Sequence, residues 1–205
     1  MYARTIYFCF HYQRDIMRVQ VVKNHHVTKG SYTAAGFFDG SLDEKAKKEG
    51  DEVVKRLIDG GMKGSTVSCV LIGSETYTRR WVQYEILKSV EHGMGLFGIR
   101  IHQISDPSKA GNSSKGKDPA GANPFDCLGY GRKGDKLNPM VHYQTGWQDA
   151  PYQSLLRNSA AAYLANVDKP ILSSLFSVYD WVNDDGYNNF ETWVAGAAKQ
   201  AGKLE

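Results

Sequence analysis

The sequence predicts an α/β fold: a flavodoxin-like open parallel sheet with helices on both faces, extended by a long C-terminal elaboration. Three observations carry this expectation. Short runs of apolar and β-branched residues alternate with stretches of helical periodicity from residue 5 to about residue 101. The connections between them are short and marked by glycine. A strand–helix–strand repeat of this kind favours parallel pairing with crossover helices. At 205 residues the chain is expected to form a single domain, with a core over 1–103 and an elaboration over 104–205.

The first strand is Thr5-Ile-Tyr-Phe-Cys-Phe10, aromatic and β-branched throughout. A helix follows over 14–26, with Ile16, Val19 and Val22 near helical spacing. Ala35-Gly-Phe-Phe38 reads as a short second strand ending at Asp39-Gly40. Ser41 and Glu44 then form a capping box for a helix whose apolar stripe is Ala46, Val53, Val54, Leu57 and Ile58. Gly60-Gly61 is the expected stop. Thr66 to Ile72 is the third strand and 78–92 the third helix, closed by Gly93. Leu96 to Ile101 is the fourth strand.

Order is harder to read beyond His102. Residues 105–123 have the Ser, Gly, Lys, Asp and Asn content of a long loop. Residues 124–180 mix aromatics with turns and give no secure element, although 154–164 fits a short helix. Residues 187–199 fit a closing helix with Phe190, Trp193, Val194 and Ala197 on one side.

Charge and cysteines narrow the function. A net charge of +3 with scattered basic residues gives no nucleic-acid groove. Cys9, Cys69 and Cys127 are an odd set without CxxC spacing, which fits a reducing, cytoplasmic setting. Met1-Tyr-Ala-Arg4 leads straight into a strand, so no signal peptide is expected, and no apolar run is long enough to span a membrane. The segment Gly60 to Thr66 has phosphate-loop composition in the wrong order, between a helix and a strand rather than the reverse. Asp184-Asp-Gly186 lacks the first ligand and terminal glutamate of a calcium loop. His25 and His26 are adjacent and diverge by about 100° on a helix, so they form no metal pair. No metal site is expected.

One constellation survives. On the third helix Val82, Ile86, Ser89 and Val90 share a face, and Glu85 lies about 60° off that line, beside Trp81 one turn earlier. The spacing puts a half-buried carboxylate against an aromatic wall, at the carboxyl edge of the sheet where open α/β folds hold ligands. Phe10, His11, Asp39 and Ser74 reach the same edge from the ends of three strands. Each also has an ordinary structural explanation: a loop hydrogen bond for His11, a turn for Asp39, helix initiation for Ser74 and a dipole contact for Glu85. Together they would make a cleft suited to a nucleotide sugar with a flat base.

The chain resembles the TIR-like ThsB proteins of the Thoeris antiphage system. The resemblance runs through Phe8-Cys-Phe-His-Tyr12, Asn24-His-His-Val-Thr28, Phe38-Asp-Gly-Ser-Leu42, Val70-Leu-Ile-Gly-Ser-Glu-Thr76, Arg80-Trp-Val-Gln-Tyr-Glu-Ile86, Asn123-Pro-Phe-Asp126 and Val178-Tyr-Asp-Trp-Val-Asn-Asp-Asp-Gly-Tyr187. It implies a TIR-like fold and an enzyme that cleaves NAD+ between nicotinamide and ribose, making a cyclic ADP-ribose isomer. That product would signal phage infection to a separate ThsA-like effector. Glu85 carries over as the catalytic residue; Phe10, His11, Asp39, Ser74, Trp81 and Tyr84 carry over as substrate-binding residues. NAD+ is the implied substrate and no separate cofactor is implied. Homo-oligomerisation on activation is a further implication. Cys9 stands where related chains often have serine, and residues 105–150 have no counterpart in ordinary TIR domains. The alternative is a non-catalytic TIR-like protein–protein interaction module, which would tolerate loss of Glu85. A receiver-like phospho-acceptor built on Asp39 lacks the acidic cluster that magnesium requires after the first strand.

Overall fold

A computed structural model of the chain describes residues 4–29, 32–34, 42–109, 116–134, 136–151, 156–157 and 171–203. The expected strand at 35–38, Asp39 and the cap Ser41 lie outside the described residues, as does most of the expected helix at 154–164.

Five parallel strands form the main sheet: β1 (Arg4–Cys9), β2 (Tyr32–Ala34), β3 (Val67–Ile72), β4 (Gly95–Arg100) and β9 (Val178–Asp180), in the order β2-β1-β3-β4-β9. Cys9 pairs with Val70, and Ile99 with Tyr179. β3 is central and buried at all six positions, as a strand covered on both faces must be. The order reverses between β1 and β3, so the switch point opens at their carboxyl ends, beside His11 and Ser74.

Side chains alternate across the sheet. Ile6, Phe8, Cys69, Leu71, Phe97 and Ile99 face one layer, made by α1 (Tyr12–Lys29) and α5 (Gly186–Gln200). Tyr7, Cys9, Val70, Ile72 and Leu96 face the other, made by α3 (Asp51–Met62) and α4 (Arg80–Glu91). The single helix expected from Ser41 to Gly60 is two. Gly50, at φ 88°, separates α2 (Leu42–Glu49) from α3, because that backbone region is accessible to glycine at little cost. Gly60-Gly61 does not end α3, which runs on to Met62.

Residues 178–200 return to the main sheet. β9 adds its edge strand, and α5 packs on β4, with Tyr179 and Trp193 stacked at 4.3 Å. The stretch before them folds as a second sheet, antiparallel, of β5 (Leu128–Lys133), β6 (Lys136–Tyr143), β7 (Gly146–Asp149) and β8 (Leu156–Arg157). Leu128, Leu137 and Val141 from this sheet join the α3–α4 core, and the Tyr130 hydroxyl donates to the Leu87 carbonyl at 3.2 Å. α4 therefore lies between two sheets, and every residue from Trp81 to Leu87 is buried. No described helix is long and apolar enough to cross a membrane.

Candidate active site

The main sheet delivers α4 through a short 3₁₀ turn, Thr76–Thr78, after β3. The Gly73 N–H donates to Thr76 Oγ1 at 2.9 Å, and the Gln83 side-chain amide donates to the Tyr77 carbonyl at 2.9 Å. These bonds fix the start of α4 and so the direction in which its second turn projects.

Glu85 sits on that turn and is only 4% exposed. Helical spacing predicts a half-buried group; close packing of this face of α4 against β1 accounts for the difference. The Tyr7 hydroxyl, from β1, donates to Glu85 Oε1 at 2.6 Å. Burial pushes the Glu85 carboxyl up to about 8, and the Tyr7 hydrogen bond opposes that rise. Burial, then the Glu85 charge, push the Tyr7 phenol well above its ordinary value. At neutral pH the unliganded carboxyl is thus mostly protonated, and a cation set against it would draw the proton off.

Trp81 and Tyr84 line the same helix face region, both 3% exposed, with ring centroids 5.9 Å apart in an edge-to-face contact. The Arg80 guanidinium lies 4.6 Å from the Trp81 ring centroid and pairs with Asp51 at 3.0 Å. Tyr84 reaches Asp59 of α3 with its hydroxyl at 3.4 Å. Glu85, Trp81 and Tyr84 therefore all lie in the α3–α4 layer, where Trp81 meets Tyr84 and Glu85 meets Tyr7.

The other expected residues are placed elsewhere on the carboxyl edge. Phe10 packs toward the α1–α5 layer, its ring 6.3 Å from Tyr12. His11 is buried and lines a cleft of about 550 Å³ with Arg14, Glu75, Asp106, Ser108 and Asp118. Ser74 is half-buried at the end of β3, and its Oγ is buried without a hydrogen-bond partner among the described residues. Among the described residues no cluster of His, Cys, Asp or Glu could hold a metal ion.

Sequence reasoning does not single out Tyr7 or Arg18. Alternation along β1 places Tyr7 on the face that meets α4, and a phenol aimed into a core needs a polar partner; that signal was present. Arg18 is fully buried on the inner side of α1, one turn after buried Asp15. Its position among Ile16, Val19 and Val22 marks it as inward-facing.

Two comparisons with known proteins bear on this arrangement. Residues 7–106, which include Tyr7 and Glu85, match the family model described as "Thoeris protein ThsB, TIR-like domain". A relative from Bacillus cereus (strain MSX-D12), named "Putative cyclic ADP-D-ribose synthase ThsB1", is 47% identical over 201 residues, covering 94% of this chain and 99% of the relative.

Proposed function

The chain belongs to the TIR-like ThsB proteins of the Thoeris antiphage system, and on that premise we propose that it cleaves NAD+ and closes the ADP-ribose remainder into a cyclic signal, with Glu85 as the catalytic residue. The observation that supports the assignment to Glu85 is its position: a carboxyl buried on the face of α4 that meets β1, held by Tyr7, one helical turn after Trp81.

Cleavage breaks the bond between ribose C1′ and the pyridinium nitrogen. Both electrons leave with nicotinamide, which departs neutral, so no general acid is needed. The positive charge moves to the ribose. A carboxylate at that point stabilises the sugar cation, and does so more strongly in a water-poor site than in bulk solvent. Glycosidases that must protonate a leaving oxygen use two carboxyls; here one suffices.

The raised Glu85 pKa fits this cycle. The unliganded protein avoids burying a bare charge by keeping the proton. NAD+ brings a fixed positive charge, which favours the ionised carboxyl. Tyr7 holds Oε1 throughout, which leaves Oε2 to meet the ribose hydroxyls. Trp81 and Tyr84 wall the site, and Ser74, His11, Phe10 and Asp39 are proposed to contact the rest of the dinucleotide. The product acts as a signal on a separate ThsA-like effector, in the cytoplasm, and copies of the chain associate on activation.

The test is Glu85→Gln, which keeps shape and the Tyr7 contact but removes the charge. Wild type and variant are incubated with NAD+, alone and with extract of phage-infected cells, and products are separated by chromatography. The variant is expected to lose at least about a hundredfold of nicotinamide release. Equal release by both proteins rules out the assignment.

A further inference from the structure

Cyclisation has a competitor. Once nicotinamide has left, C1′ bonds either to a lone pair of the adenosine half, a ring nitrogen or a ribose hydroxyl, or to a water oxygen. A hydroxyl or water loses its proton to solvent, whereas a ring nitrogen has none and takes the positive charge onto the purine, whose exocyclic amino group can release a proton instead. Attack by the adenosine half gives the cyclic product and attack by water gives linear ADP-ribose. The outcome rests on which nucleophile is nearer and on how well water is excluded.

Residues 116–123 run across the carboxyl edge of the main sheet as a strap, from the α1 side to the α4 side. At the α1 end, Arg18 Nε donates to the Ile104 carbonyl at 2.9 Å, Nη1 pairs with Asp118 at 2.9 Å, and Nη2 donates to the Gly116 carbonyl. Asp15 lies 3.6 Å from the same guanidinium. The Asp118 N–H donates to the His102 carbonyl at 3.0 Å. In mid-course, Gly121 lies directly on the end of β3: a Cβ there would overlap the Gly73 and Ser74 carbonyl oxygens. Arg100, ending β4, donates to the Gly121 carbonyl at 2.7 Å. At the far end Phe125 is wholly buried in the α4 core.

A fully buried arginine with this many partners is a costly way to hold a surface loop, since its charge must be desolvated. Its position explains the use. The strap covers the β3 side of the switch-point crevice, and its Asp118 borders the cleft that His11 lines. The strap is thus one wall of the cleft beside His11, and an adenosine half lodged in that cleft would lie against it.

We propose that the 116–123 strap, seated by Arg18 and by the close approach of Gly121 to β3, is the specificity-determining element that directs the ribosyl cation to its own adenosine instead of water. The proposal rests on the enzymatic reading above. Arg18 and Gly121 are positioning residues, not catalytic ones.

Two variants lift the strap by independent means. Asp118→Asn weakens the Arg18 clamp, and Gly121→Ala forces the strap off the β3 carbonyls with no change of charge. Purified full-length proteins are given NAD+ under the conditions in which wild type turns over. Cyclic and linear ADP-ribose are quantified per nicotinamide released. That ratio is insensitive to a reduced folded fraction, because misfolding removes both products equally. Both variants are expected to raise the linear share at least threefold. A wild-type ratio in both overturns the strap's role while leaving the enzymatic reading intact. Absence of nicotinamide release from wild type overturns the enzymatic reading and the strap's role with it.

Discussion

The Tyr7–Glu85 pair makes one side chain answer to two opposed demands. The folded Glu85 pKa, about 8, lies above its ordinary 4.5. A group raised in this way leaves stability intact below the lower value and subtracts from it as pH rises toward the higher one. Glu85→Gln cannot ionise, so the variant is expected to be more stable than wild type at pH 8. The gain is up to ~4 kcal/mol, at roughly 1.4 kcal/mol for each pH unit that separates the two values. Thermal melts from pH 5 to pH 8 check this: the gain should shrink toward acid. Tyr7→Phe removes the bond that opposes the raised pKa. The alkaline rise in kcat/KM should then move to higher pH, with a stability cost of about 1–3 kcal/mol for the stranded carboxyl oxygen. The spacing to Trp81 places Glu85 at the margin of the buried stripe, and its full burial was not legible there. Tyr7 could have been read from strand alternation, yet pairing it with Glu85 needs the sheet register, which no local pattern encodes.

Among the elements, α4 shows where periodicity reaches its limit. The stripe of Val82, Ile86 and Val90 correctly points at the main sheet. It says nothing of the opposite side, where Gln83 and Leu87 are buried as well. That side is covered by β5 and β6, and β6 carries Pro139 in mid-strand. Proline argues against a strand in any local reading, and β6 is paired to β5 on one side and to β7 and β8 on the other. The antiparallel sheet is set by these long-range partners. The α2–α3 break escapes a local reading for a related reason: a lone glycine in a helical pattern is usually tolerated, and only its φ shows that Gly50 turns the chain. Gly50→Ala meets no steric neighbour but must adopt a positive φ. It should cost about 1 kcal/mol in chemical denaturation and leave nicotinamide release per folded protein unchanged.

At the scale of the whole molecule, the βα repeat up to β4 was readable because each unit is local and its connections are short. The return of β9 and α5 to the far side of the sheet was not, because more than 70 residues separate β9 from its partner β4. The result is a sheet whose carboxyl edge is shaped from two directions: by its own β1 and β3 turns, and by the segment that crosses back over them. The site depends on more than one element, since β1 supplies Tyr7, α4 supplies Glu85, and the packing of that face of α4 on the main sheet keeps them dry. In the proposed reaction this dry carboxyl must ionise for NAD+ to be cleaved. The pH dependence of kcat/KM for nicotinamide release, measured for wild type beside Glu85→Gln, tests it most directly, because that parameter reports groups of the free enzyme. The wild-type value is expected to climb with pH and level off above about 8, while the variant stays at background throughout. A variant that released nicotinamide at the wild-type rate, with the same profile, would contradict the account.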